Sequence, residues 1–348
     1  MAAYLYYLLA IVFILFIPIN SRNKVYPQKL DPFFFLFFVF FLSLLSFRSE
    51  GVDLDNYVYS FYQNPSDIPD FGYRSLIYIF NALNMSLAHM FLAMNLITIY
   101  AFHRFCNKNS INFALFITFY FLHLMVLRDL VQLRSAFAFS LFLLSITYDK
   151  KYLKFIIGLI ASSIHLTVIP LILSFYFFSW IFSYKLINKS ILILLSFLVI
   201  ILVGSNLEYL NAIDPRIGIY LNWEKEGYGN EVSSLSFLYF HTIILLISSY
   251  YYFQSKSNDK LIEILLLLEV ISLVTFVSLS DVAIFAFRIS SMIASLYPFL
   301  LIRSLQLYEN KVGDISISKS LFILVPIACF LLFRPGTFDL ILSLSLPY

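Results

Sequence analysis

The segment Arg128-Asp129-Leu130-Val131-Gln132-Leu133-Arg134 sets two arginines, an aspartate and a glutamine between two long apolar runs, 111–127 and 135–148. A guanidinium stays charged in any protein, and its planar fork fits a phosphate in a bidentate way. Charge placed against hydrocarbon is rare and generally functional. The cluster therefore predicts the mouth of a membrane-embedded site. Arg288, a little after Asp281, repeats the pattern of an arginine inside an apolar run. With Arg128 and Arg134 it could hold a diphosphate at the outer membrane surface.

Candidate acids and bases lie elsewhere. Arg48, Glu50, Gly51, Asp53, Asp55 and Tyr57 begin where an apolar run ends. A carboxylate there could act as a general base if partial burial tunes its proton affinity. The competing reading is a solvated loop that turns at Gly51. His165 closes a short apolar run, with Pro170 just beyond it. A lone helical histidine is more often packed than catalytic, but a position between two short helices keeps His165 a candidate base. His123 falls near Arg128, whereas His89, His103 and His241 read as interfacial. The scattered histidines, and two cysteines in different runs, predict neither a metal site nor a disulfide.

The elements that must position these groups follow from composition. Of 348 residues 61% are hydrophobic and 12% charged, with a mean hydropathy of +0.87. Soluble domains carry roughly twice that charge. The chain reads as an all-α polytopic membrane protein, a single transmembrane domain over 1–348. Nucleic acid is excluded as a partner, because no basic stripe interleaves with aromatics. Apolar runs of helical length are 3–18, 33–47, 87–103, 111–127, 130–148, 152–165, 167–183, 190–204, 235–253, 261–279, 283–302 and 320–333, about twelve spans. The first is expected to be a span rather than a signal peptide. Residues 338–348 are too short to assign.

Loop charge orients them. Fifteen basic residues fall on one side, twelve lysines and three arginines, which makes that side cytoplasmic. The other eight are Arg48, Arg74, Arg128, Arg134, Arg216, Arg288, Arg334 and Lys225. Topology needs only positive charge, so an outward excess of arginine calls for a ligand. The alternative is that these arginines pair with outer acids such as Asp55, Asp129 and Asp281. Two outer loops, about 48–86 and 205–234, are long enough to be functional. Their Tyr, Trp and carboxylates suit sugar binding.

Taken together, these pieces resemble the Wzy/EpsG-type bacterial polysaccharide polymerases. That family has an arginine followed by Gly-x-Asp-x-x-x-Tyr after its second span, matched by Arg48, Gly51, Asp53 and Tyr57. An arginine then opens a small-residue helix, here Gln132, Arg134, Ala136 and Ala138, although Ser135 stands where the family often has Gln. A basic inner loop at 149–154, a span ending near His165, and a late arginine, Arg288, complete the match. It covers 45–180 well and 280–300 more loosely.

The resemblance implies a GT-C-like glycosyltransferase of the bacterial cytoplasmic membrane, with no metal or other cofactor and its site facing outward. Donor and acceptor would be undecaprenyl-diphosphate-linked glycans, and a chain-length regulator is a further expected partner. A hydroxyl of the acceptor attacks the donor's anomeric carbon and the lipid diphosphate leaves. Arg48, Arg128, Arg134 and Arg288 would bind the diphosphate. Asp55, Tyr57, Gln132 and Arg216 would contact substrate. Asp53 is the favoured base because it matches the motif, with His165 as the alternative. Rival readings are a lipid-linked oligosaccharide flippase, which should show paired halves, and an O-antigen ligase or O-acetyltransferase.

Overall fold

The computed structural model describes residues 54–120, 132–183 and 234–312, with isolated positions at 39, 46, 197, 198, 200 and 327. Among the described residues all regular secondary structure is helical. In chain order the α-helices are α1 (Leu54–Tyr62), α2 (Phe71–Ala82), α3 (Leu87–Lys108), α4 (Phe113–Phe119), α5 (Leu133–Thr147), α6 (Lys151–Ile164), α7 (Ile169–Ser183), α8 (Ser234–Ser255), α9 (Lys260–Ser278), α10 (Ala283–Ala294) and α11 (Tyr297–Val312). Four described stretches are long and apolar enough to cross a bilayer: Leu166–Ser183, Ser236–Ser255, Lys260–Ser278 and Phe285–Lys311. The protein is thus an α-helical membrane protein, as backbone in hydrocarbon must satisfy its own hydrogen bonds.

Two compact units are present, Met1–Leu166 with Glu309–Tyr348, and Thr167–Tyr308. In the first, α5 is the centre. It packs on α3 and on α6. Of its fifteen residues only Arg134 and Ile146 escape full burial. Small residues allow this close approach: Ser135, Ala136, Ala138 and Ser140 are all buried. Each α5 hydroxyl needs a partner there. Ser140 donates to the Phe137 carbonyl and receives from Thr98 of α3 at 3.2 Å.

The far end of α5 is basic. Lys108 of α3 donates to the Thr147 carbonyl and to Asp149, both at 2.6 Å, and Arg104 reaches Thr147 at 3.0 Å. Lys108 holds the Asp149 carboxyl below the usual aspartate range by hydrogen bonding and charge. α6 turns back from this end with Lys150, Lys151 and Lys154 at its start. A 15-residue helix rises about 22 Å. Arg134 and the end of α6 therefore lie at the opposite pole from these lysines.

In the second unit, α9 packs on α7, α8 and α10. Asp259 caps α9 by accepting from Leu261 and Ile262, and its other oxygen takes Arg303 of α11 at 2.9 and 3.1 Å.

Several sequence expectations change in detail. The first outer loop, about 48–86, contains the helices α1 and α2. The run 283–302 is two helices that break at Ser295, and Pro298 explains the restart, being suited to a first helical turn. The runs 152–165 and 167–183 are separate helices, as expected, and they part at His165, whose backbone is extended (φ −158°). Of the run 111–127, residues 111–120 are described. The runs 3–18, 33–47, 190–204 and 320–333 lie entirely or almost entirely outside the described residues, as does the loop 205–234 apart from its last residue.

Candidate functional site

Asp70 precedes α2 in the N-cap position, where a carboxylate ordinarily accepts a hydrogen bond from its own helix. Here the side chain makes no capping bond. A missing cap costs about 1 kcal/mol. The carboxylate turns inward instead, with its side chain 2% exposed. Its Oδ2 receives Arg134 Nη1 at 3.2 Å and lies 3.4 Å from His165 Nδ1. Three elements thus converge on one oxygen: the start of α2, the first turn of α5 and the residue after α6.

Each partner is held by local structure. Arg134 is the second residue of α5, where the helix dipole disfavours a cation. A nearby anion offsets this, and Asp70 supplies it. The guanidinium is also flanked by aromatic rings, its Cζ 5.4 Å from the Tyr73 centroid and 5.9 Å from that of Tyr57. The two rings meet edge to face at 6.2 Å, and Tyr57 packs on Phe91 at 5.5 Å. The Tyr73 hydroxyl is buried and without a hydrogen bond among the described residues. Burial, with Tyr57 nearby, pushes its pKa well up against the opposing pull of Arg134, so it stays a neutral phenol.

His165 is delivered by a close helix crossing. Gly72 of α2 sits directly on Ser163 of α6, and a Cβ at position 72 would fall on the Ser163 hydroxyl and 2.8 Å from its carbonyl carbon. Only glycine allows this approach without movement. Two residues on either side of that contact stand Asp70 and His165.

The exposures divide the three groups. Asp70 is sealed, whereas the Arg134 and His165 side chains keep 32% and 19% exposure. A ligand can reach the cation and the imidazole but not the acid between them. Such a site can bind an anion and accept a proton.

Of the residues expected from sequence, Arg134, His165 and Tyr57 are brought together in the first unit. Gln132 is half-buried just before α5, and Asp55 is exposed on α1. Arg288 is half-buried on α10, in the second unit. Arg48, Asp53, Arg128 and Arg216 lie outside the described residues. Asp70 went unassigned in the sequence, where it reads as one more acid of a long loop. Another pair also went unassigned. His241 of α8 and Glu269 of α9 are both buried and meet at 2.7 Å, with Phe237, Phe240 and Tyr297 around the imidazole. His241 is therefore a core residue, not an interfacial one. An acid inside an apolar run was the available signal.

Among the described residues the helices, four of them long and apolar enough to cross a bilayer, and the arginine–histidine–aspartate cluster are those of a polytopic membrane protein with a charged cluster at one pole of its first unit. The chain belongs to the EpsG family, whose model matches residues 32–346. Membership makes it a membrane protein of the polysaccharide-polymerase type. No curated protein and no solved structure matches it.

Proposed function

We propose that the protein joins undecaprenyl-diphosphate-linked oligosaccharide repeat units on the outer face of the bacterial cytoplasmic membrane. The observation that carries this reading is the partly exposed Arg134 beside His165, over a sealed carboxylate, in a chain of the EpsG family. The acceptor's hydroxyl oxygen attacks the donor's anomeric carbon. The bond from that carbon to the phosphate oxygen breaks, and its electron pair stays on the lipid diphosphate. Arginine stabilises that growing charge through preorganised hydrogen bonds. Arg134 is the described residue best placed for this. We assign a diphosphate-binding role also to Arg48, Arg128 and Arg288, and a substrate-binding role to Asp55, Tyr57, Gln132 and Arg216. The hydroxyl proton passes to a base, Asp53 or His165.

The outer orientation is supported by the polarity of the first unit. Lysines cluster at one pole, and Arg134 and His165 lie at the other. At that outer pole the reaction needs no nucleotide sugar, and a GT-C-like, metal-independent transfer suffices.

Deleting the gene tests the reading. Surface glycan capped at a single repeat unit is the expected result. Complete loss of surface glycan would instead indicate a flippase.

A further inference from the structure

Asp70 is too deeply buried to touch a sugar hydroxyl, yet it faces both groups that a substrate can reach. Its helix gives up a cap to leave it there. We propose that Asp70 is a positioning residue that presents His165 as the base and ties proton uptake by His165 to the anion-binding strength of Arg134. The proposal rests on the polymerase reading above.

The argument is one of charge. Before reaction Asp70 is anionic, Arg134 cationic and His165 neutral, and these three groups sum to zero between them. With Nδ1 turned to Asp70, proton acceptance falls to Nε2. As the new glycosidic bond forms, the hydroxyl proton moves to Nε2 and the diphosphate gains one negative charge. The imidazolium then binds Asp70 by a charge-assisted hydrogen bond. It competes with Arg134 for the same oxygen, Oδ2. Arg134 loses part of its internal partner at the moment the leaving group needs it. These three groups gain one positive charge while the diphosphate becomes one unit more negative.

Among the described residues, Tyr73 from α2 and Tyr57 from α1 also face the cluster, besides Arg134 from α5. Burial keeps Tyr73 protonated. Arg74, one turn along α2, is directed to the Ser66 carbonyl at 3.5 Å.

The test uses the full-length protein in lipid nanodiscs. Substrate is the single-unit lipid-linked glycan extracted from a strain deleted for the gene, and farnesyl diphosphate is the binding probe. For Asp70→Asn we expect a loss of about 100-fold or more in extension rate. The acid limb of its pH–rate profile should move to lower pH, because the imidazolium has lost its carboxylate. Farnesyl diphosphate should bind at least as well as to wild type. Combining Asp70→Asn with His165→Gln should be no slower than His165→Gln alone, as expected of groups acting as a unit. Asp70→Glu should return the acid limb to its wild-type position. An unmoved limb in Asp70→Asn, or a double variant slower than His165→Gln, overturns the proposal.

One arm needs no Asp70 variant. Nitrogen NMR of histidine-labelled wild-type protein, assigned against His165→Gln, should show His165 protonated at Nδ1. Protonation at Nε2 overturns the proposal even if Asp70→Asn fails to fold. If wild-type protein extends no glycan, the polymerase reading fails, and the tautomer still decides whether Asp70 presents His165.

Discussion

Gly72 and Ser163 touch so closely that no methyl group fits between them. This contact joins the start of α2 to the end of α6, and it sets the spacing of Asp70 and His165. Gly72→Ala should push the helices apart. Overpacking of this kind costs about 1–3 kcal/mol. Activity should fall further than stability, because a shift of about 1 Å in a catalytic group can cost about 100-fold. Thermal unfolding and extension rate, measured on the same preparation, check this. Full activity in Gly72→Ala would mean that the crossing does not control the site.

Arg134→Lys keeps the charge and discards the fork. The lysine would still answer Asp70 but could not grip a phosphate in a bidentate way. Chain length of the surface glycan should collapse at unchanged protein level. Lysine variants at Arg128 and Arg288 should behave alike if those residues share the diphosphate. Normal chain length in all three would remove the diphosphate role.

His165→Gln should cost the larger part of the base contribution, about 100- to 10,000-fold. Asp53→Asn should leave measurable extension. The opposite ranking would return the base to Asp53, the acid that the sequence motif favours.

The His241–Glu269 pair is a question of stability. Removing one member of a buried pair strands the other, typically at about 3–5 kcal/mol. His241→Leu should therefore lower the thermal midpoint sharply. His241→Leu combined with Glu269→Leu should recover most of the loss. Equal damage in the single and double variants would show that the pair is not coupled.

Topology can be read with cysteines. Asn64→Cys and Gly229→Cys should label from outside intact cells, and Lys150→Cys and Asn258→Cys should not. Reversed labelling would put Arg134 and His165 on the cytoplasmic side and undo the proposed chemistry.

Much of this was legible in the sequence, and the gaps have physical causes. Arg134 and His165 stood out because a charge or an imidazole beside hydrocarbon is conspicuous. Tyr57 stood out through its motif, although the structure gives it to Arg134 as a flanking ring. Asp70 was hidden. It sits 64 residues from Arg134 and 95 from His165, and nothing local distinguishes it from Asp67, which bonds only Asn64 in its own turn. Its signal was Gly72 two residues later, a residue with no reason to begin a helix unless something approaches closely. The break at Ser295 was masked by continuous hydrophobicity, and Pro298 was its only mark. Helix existence follows from composition, whereas these meetings depend on tertiary packing.

The most direct test is reconstitution. Purified protein in nanodiscs should convert the single-unit lipid-linked glycan into a ladder of longer glycans, releasing one lipid diphosphate for each bond formed. His165→Gln should slow the ladder by about 100- to 10,000-fold while still binding farnesyl diphosphate. A wild-type protein that leaves the glycan at one unit, or moves it across a bilayer unextended, would contradict the account.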